Sequence, residues 1–261
     1  MNKIFTIALN TYKEAVRNKI FYIIAVFALV LLAFSLVLAT LALGEDDRII
    51  KHVGLSAISI FGLLMATFVG VNLVYEELDK RTIYTIVASG VRRYEFLVGK
   101  FLGLFLTVVA NVLLMSVLLC LLIMVWPDSS ITATLILAVY LFLFEMLVVS
   151  ALAILFSSFS TPVLSAVLTF MCWVIGHMSE DLLEWSKRLY EQGAIAFSGM
   201  LKFIYYLLPN LEVFNLKNQV IYQEDIGHVF HHLFLYPLYA IFYSGILLII
   251  AIVSFARRDF K

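Results

Sequence analysis

Apolar residues run through this chain in blocks long enough to cross a bilayer, and the charged positions gather between the blocks. Residues 20–43 hold 24 positions without a charge, which is about 36 Å of helix against a hydrocarbon core of about 30 Å. Comparable blocks cover residues 53–75, 101–126, 131–155, 161–178 and 233–255, so six transmembrane helices are expected. Helices are the natural form, because in lipid each backbone N–H and C=O must be satisfied within its own segment. The first 19 residues read differently. Ile4, Phe5, Ala8, Tyr12, Val16 and Ile20 recur at steps of three and four, with Lys3, Asn10, Lys13 and Arg17 opposite. That pattern predicts an interfacial helix over residues 1–19, its basic face toward anionic headgroups. The apolar run after it is far too long for a signal-peptide core, and no cleavage pattern follows, so no cleaved leader is expected.

The connectors are short. GEDDRIIKH joins spans one and two, PDSS joins three and four, and SSFSTP joins four and five, where Pro162 suits a helix start. Residues 179–232, between spans five and six, are the exception. Residues 179–190 read as a helix with Leu182, Leu183, Trp185 and Leu189 on its apolar side, and a second apolar run over 197–208 ends at Pro209. The second run is too short to cross and is expected to be re-entrant or interfacial. The expected fold is therefore an all-α integral membrane domain over residues 1–261: an N-terminal interfacial helix, six transmembrane helices and a helical hairpin between spans five and six.

Composition narrows the class without naming an activity. The chain is 63% hydrophobic and 14% charged, against about 25% charged in soluble domains. Its 18 basic and 18 acidic residues balance, so no overall basic field is available to attract nucleic acid. Cys120 and Cys172 both fall in apolar runs and read as packing residues rather than a disulfide framework. With the N-terminus inside, the inner segments hold Lys3, Lys13, Arg17, Lys19, Lys80, Arg81, Arg92, Arg93, Lys100, Arg257, Arg258 and Lys261. The outer ones hold Arg48 and Lys51, with Lys187, Arg188, Lys202 and Lys217 in the long segment, where the bias counts least. Both termini are expected in the cytoplasm of a multi-pass protein of the cell's inner membrane.

Residues 76–100 are the densest charged stretch, with Glu76, Glu77, Asp79, Lys80, Arg81, Arg92, Arg93, Glu95 and Lys100 between two spans. Such charges need water or a protein partner. A helix over residues 78–89 would present Ile83, Ile86 and Val87 on one side, and Glu77 and Arg81 stand four residues apart as a helical ion pair. The plain alternative is a solvated loop that obeys the positive-inside rule. Phosphate-cradling, GxSxG, HExxH and CxxC motifs are all missing, so neither nucleotide hydrolysis nor another soluble-enzyme chemistry is expected of the chain itself.

The string from Glu77 through Asp79, Lys80, Arg81, Thr82 and Ile83, followed by ASGVRRYEFLVGK, resembles the loop after the second span of ABC-2 type permeases. It is most similar to the branch associated with multicopper enzyme maturation and nitrous oxide reductase assembly. LFSSFSTPVLSAV and LLPNLEVFNLKNQVIY agree, so the resemblance extends over essentially the whole chain. Gly90 departs from it, since proline is common there. The resemblance implies a permease half that pairs with a second copy or a paralogue and exports or flips a substrate. A separate ATPase subunit would bind ATP and Mg²⁺ and grip residues 76–100 through Glu77, Arg81, Thr82, Ile83, Arg92 and Arg93. No cofactor is expected in this chain. The alternative keeps the architecture but relays ATPase motion to an extracytoplasmic partner on residues 179–232, without transport.

Several further residues merit attention. Glu145 stands in the middle of span four, where it is either a proton carrier or substrate contact, or a neutral acid hydrogen-bonded to Asn111 or Asn72. The second reading is preferred, because a lone acid is no relay. A membrane enzyme would need Glu145, His177 and Ser179 to meet, and sequence leaves them scattered. Gly62, Ala66 and Gly70, at four-residue steps, allow close helix approach within the subunit or at a dimer seam. His228, His231 and His232 share a helical face and are a weak metal candidate; an interfacial role is preferred.

Overall fold

The computed structural model describes residues 3–41, 46–79, 91–126, 130–222 and 231–257. Among them no strand occurs, and the helices are α1 (Lys3–Arg17), α2 (Lys19–Leu41), α3 (Asp46–Asp79), α4 (Arg93–Val125), α5 (Ala133–Phe159), α6 (Pro162–His177), α7 (Ser179–Glu191), α8 (Ile195–Leu207), α9 (Lys217–Tyr222) and α10 (Tyr236–Arg257). A 3-10 turn, Glu212–Phe214, precedes α9, and a π-helical turn, His231–Leu235, leads into α10. Five helices are long and apolar enough to cross a membrane, or six if the pair α6 and α7, bent by 67°, is one span. This is the architecture of a multi-pass membrane protein.

Local chemistry sets the helix ends. Asn18 breaks the chain between α1 and α2, its Oδ1 accepting the Ile20 N–H at 2.9 Å. Glu95 Oε2 accepts the Arg92 N–H at 2.8 Å to open α4, and Thr132 accepts from Leu135 N–H to open α5. Thr161 precedes α6 in extended conformation and Pro162 opens its first turn, as the sequence leads one to expect. Gly193, at φ 83°, makes the turn from α7 to α8. Ser186 Oγ then joins those helices, lying 3.0 Å from both Ser198 O and Ser198 Oγ.

Helix α5 is the hub and packs on α3, α4, α6 and α10. Its sequence carries one charge, Glu145, and is otherwise apolar on every side but for a few hydroxyl residues, as suits a central helix. Peripheral α2 turns Ile23, Val26, Phe27 and Val30 outward, a surface suited to lipid. Gly62 packs on Phe142 and Met146 of α5, and Gly70 on Leu104 of α4 and Ala153 of α5. Ala66 between them is fully buried. These small residues thus close contacts within the chain.

Three boundaries differ from the sequence reading. Helix α3 starts at Asp46 and takes in most of the first connector, because Asp46 and Asp47 favour the positive end of a helix. The expected loop over residues 76–100 shortens at both ends: 76–79 complete α3, and 93–100 open α4. Span five ends at His177, close to where it was expected, and the helix read over residues 179–190 follows as α7 at a 67° bend. The helix expected over residues 1–19 forms as Lys3–Arg17, but its packed face is Ala8, Thr11 and Ala15, with Phe5 exposed. Gly99 and Gly103 of α4 cause this. A Cβ on Gly103 would lie 2.5 Å from Thr11 Cβ, and one on Gly99 2.7 Å from Ile7 Cβ.

Candidate functional site

A cluster of buried polar side chains lies where α5 and α6 meet the chain that follows α8. Glu145, only 2% exposed, projects from the middle of α5. Trp173 and His177, one turn apart on α6, face it together, their ring centroids 4.5 Å apart. Trp173 Nε1–H donates to Glu145 Oε1 at 2.8 Å, and His177 Nε2 lies 3.5 Å from the same oxygen. The other ring nitrogen, Nδ1, is 3.1 Å from the carbonyl of Trp173.

Residues 209–217 reach this depth because α6 ends early and carries a glycine at its tip. The Leu211 N–H donates to Gly176 O at 3.0 Å, and a Cβ on Gly176 would come within 2.9 Å of Pro209 O. From α10, Tyr239 Oη accepts the Asn210 N–H at 3.0 Å and Tyr243 Oη donates to Leu207 O at 2.9 Å. Leu211, Phe214 and Leu216 are buried as a result. Asn215 braces the turn, its Nδ2 donating to Glu212 Oε1 at 3.0 Å and its Oδ1 accepting the Lys217 N–H at 3.2 Å.

Glu145, His177, Asn215 and Lys217 line one narrow cavity of about 20 Å³, walled by Phe142 and Phe214. That is room for roughly one water molecule. Burial pushes the Glu212 carboxyl above its usual range, against the pull of the Asn215 hydrogen bond and the His177 charge; Glu180 and Glu145 push it further up. Burial likewise lowers the Lys217 ammonium, while Glu145 and Glu212 draw it back up.

The partners expected for Glu145 are corrected here. Asn111 is buried on α4, with Nδ2 3.9 Å from Met115 Sδ and Oδ1 without a hydrogen-bond partner. Asn72, on α3, lines a separate apolar groove of about 780 Å³ between α3 and α6, with Phe68, Val167 and Phe170. Glu145 and His177, scattered in sequence, do meet. Ser179 does not join them as a nucleophile, since its hydroxyl donates to Gly176 O at 2.6 Å.

At the opposite end of the bundle Arg92 and Arg93 are exposed beside the start of α4. Lys100, read as part of the charged surface, is instead 3% exposed under α1. Glu77 falls in the last turn of α3, and Arg81, Thr82, Ile83 and Gly90 lie outside the described residues. His228 does too; His231 and His232 stand in the π-helical turn, where the His232 ring meets Tyr236 edge-on at 5.1 Å. Among the described residues no three His, Cys, Asp or Glu side chains are grouped as metal ligands.

Sequence reasoning missed Trp173, Glu212, Asn215 and Lys217. A signal was present for Trp173 and His177, whose i, i+4 spacing on an apolar helix sets two polar groups on one face. Compared with known protein families and with curated proteins, the chain matches none.

Proposed function

We propose that this chain is the permease subunit of an ABC transporter of the ABC-2 type, driven by a separate ATPase subunit and exporting or flipping a substrate. The observation that carries the reading is the construction of the bundle end around residues 80–92. Helices α3 and α4 have 34 and 33 residues, about 50 Å each, against a hydrocarbon core of about 30 Å. Both therefore extend well beyond lipid, as continuous helices on either side of a connector whose charges, Lys80, Arg81 and Arg92, are all basic. Helix α1 is clamped along α4 by Gly99, Gly103 and the contact of Lys100 with Glu14. A push on the connector would move α1, α3 and α4 as levers into the core around α5.

On this reading the connector faces the cytoplasm and holds the ATPase, with Arg92 and Arg93 toward an acidic rim. ATP and Mg²⁺ belong to that subunit, since the chain has no phosphate-cradling motif. Both termini are cytoplasmic, α6 crosses as the fifth span and α10 as the sixth, and a second permease copy or paralogue covers the apolar groove between α3 and α6. Purification from the native host in mild detergent should bring an ATPase with the chain. Charge reversal at Arg81 or Arg92 should lower the coupled activity of the assembled complex about tenfold or more, the loss expected for a hydrogen-bonded interface charge. A chain that purifies alone would refute the reading.

One observation favours a second reading, in which the chain relays ATPase motion to an extracytoplasmic partner. Helix α8 exposes Phe197, Phe203 and Tyr206 at the end of the bundle away from the connector. ATPase activity that responds to such a partner, with no substrate moved in sealed vesicles, would decide for it.

A further inference from the structure

The hydrogen-bond directions around His177 contain a demand that apolar packing does not. A carbonyl oxygen only accepts, so the 3.1 Å contact between Nδ1 and Trp173 O requires the hydrogen on Nδ1. A neutral ring then presents a bare lone pair at Nε2, 3.5 Å from Glu145 Oε1. An ionised Glu145 would set a second lone pair against it, in a place almost closed to water. Trp173 Nε1–H supplies one donor to that oxygen, and the oxygen still faces Nε2. The conflict disappears when a proton lies between them, either as carboxylic O–H donating to Nε2 or as imidazolium N–H donating to the carboxylate.

The surrounding charges point the same way. Glu212 and Lys217 come from residues 209–217, and Glu180 on α7 acts on Glu212. The cavity walls contributed by α3 are Leu55 and Ile58, and Lys51 on the same helix is paired with Asp47 at 2.6 Å. From α10 the approaching group is Tyr239, which reaches Asn210. With Glu212 and Lys217 opposed, Glu145 and His177 together are neutral when they share one proton and carry one negative charge when they do not. Uncompensated charge in so small a cavity is costly.

We propose that Glu145 and His177 form a buried site for a single proton, and that this bound proton latches residues 209–217 into the helix bundle. Loss of the proton sets two carboxylates, Glu145 and Glu212, against the Lys217 ammonium, which can balance one of them, and the excess charge opposes the docking of residues 209–217, which line the Glu145 cavity through Asn215 and Lys217. Helices α5 and α6 remain packed, so the change is confined to the end of the bundle that carries α7, α8 and α9. The inference is independent of any ATPase.

The experiment uses the full chain in lipid nanodiscs. Amide hydrogen exchange over residues 209–222 is followed from about pH 5 to about pH 9 and expressed as protection factors, which removes the intrinsic pH dependence. In the wild type protection should fall about tenfold or more across that range, the change that a shift of about one unit in proton affinity produces, while α4 stays protected. Glu145→Gln should lose most of that fall: its carbonyl still accepts from Trp173 and the side chain has no proton to release, so only the titration of Glu212 remains in the segment. Flat protection in the wild type, or a Gln variant that loosens in parallel, would overturn the proposal. If Glu145→Gln fails to fold, the ¹⁵N resonances of the His177 ring in the wild type decide. A neutral ring with its hydrogen on Nε2 refutes the site; hydrogen on Nδ1, with imidazolium or an Nε2-bonded proton at low pH, supports it.

Discussion

Lys100 Nζ and Glu14 Oε2 meet at 3.3 Å although 86 residues separate them, and the pair ties the N-terminal helix to the first turns of α4. The two are unequal partners: Lys100 is buried, its ammonium 5.8 Å from the Phe96 ring, whereas the Glu14 side chain is 47% exposed. Glu14 is therefore well hydrated and partly screened, and Glu14→Gln should cost about 1 kcal/mol or less. Glu14→Lys sets a like charge against a buried ammonium and should cost about 2–4 kcal/mol, with α1 released from α4. Thermal unfolding in nanodiscs, with tryptic cutting at Arg17 and Lys19, reads both. Equal effects of the two substitutions would show that charge has no part in the docking.

Gly103 makes the same interface on steric grounds. A methyl group there would lie 2.5 Å from Thr11 Cβ and 2.7 Å from Ala8 O, and the second atom is backbone and cannot turn away. Gly103→Ala should thus cost about 2–3 kcal/mol through displacement of α1, an overpacking penalty. Gly245, on α10, has open space where its Cβ would be. Gly245→Ala should gain up to about 1 kcal/mol from helix propensity alone. The opposite signs of the two melting shifts are the check.

How much of this was legible in the sequence depends on what each feature needs. The cores of α2, α3, α4 and α5 were visible because uncharged runs report hydrocarbon directly. Their polar ends were not. Asp46–His52 and Arg93–Lys100 are helical turns made of charged residues, which a hydropathy reading assigns to loops. The Gly99 and Gly103 spacing was present in GKFLG, yet the charge of Lys100 drew attention to a loop. Asn72 and Asn111 were natural partners for Glu145 by depth in the membrane, but depth says nothing of direction around a helix axis. Trp173 and His177 face Glu145 because α6 is short, and Asn215 and Lys217 reach it because Gly176 admits residues 209–211; both are tertiary facts.

Glu212 gives a pH dependence whose sign is fixed by burial. Its carboxyl titrates above the unfolded value of about 4.3. Its contribution is therefore complete below that value and is lost as pH rises through the folded one, since the folded state must then hold a desolvated charge. Glu212→Gln keeps an oxygen to accept from Asn215 Nδ2 and cannot ionise. It should melt higher than the wild type at about pH 8 and level with it near pH 4. A variant that melts lower at pH 8 would mean that attraction to Lys217 outweighs the desolvation.

Lys51 poses the reverse case, a cation with no exposed surface whose ammonium meets Asp47 Oδ2 at 2.6 Å, one helical turn away. The second carboxylate oxygen, Oδ1, is buried without a hydrogen-bond partner. The ion pair is thus incompletely satisfied, and such pairs recover little beyond the cost of removing their charges from water. The aliphatic stem, by contrast, fills space in the core. Lys51→Met keeps the stem and removes one charge, leaving Asp47 at the helix N-terminus, where the macrodipole favours it and the side chain is 25% exposed. Its cost should be within about 1 kcal/mol. Lys51→Ala also empties the volume of the stem and should cost about 2–4 kcal/mol. Unfolding of both variants in one lipid composition separates packing from charge: if Met is as damaging as Ala, the ion pair rather than the stem holds the first turns of α3 in place.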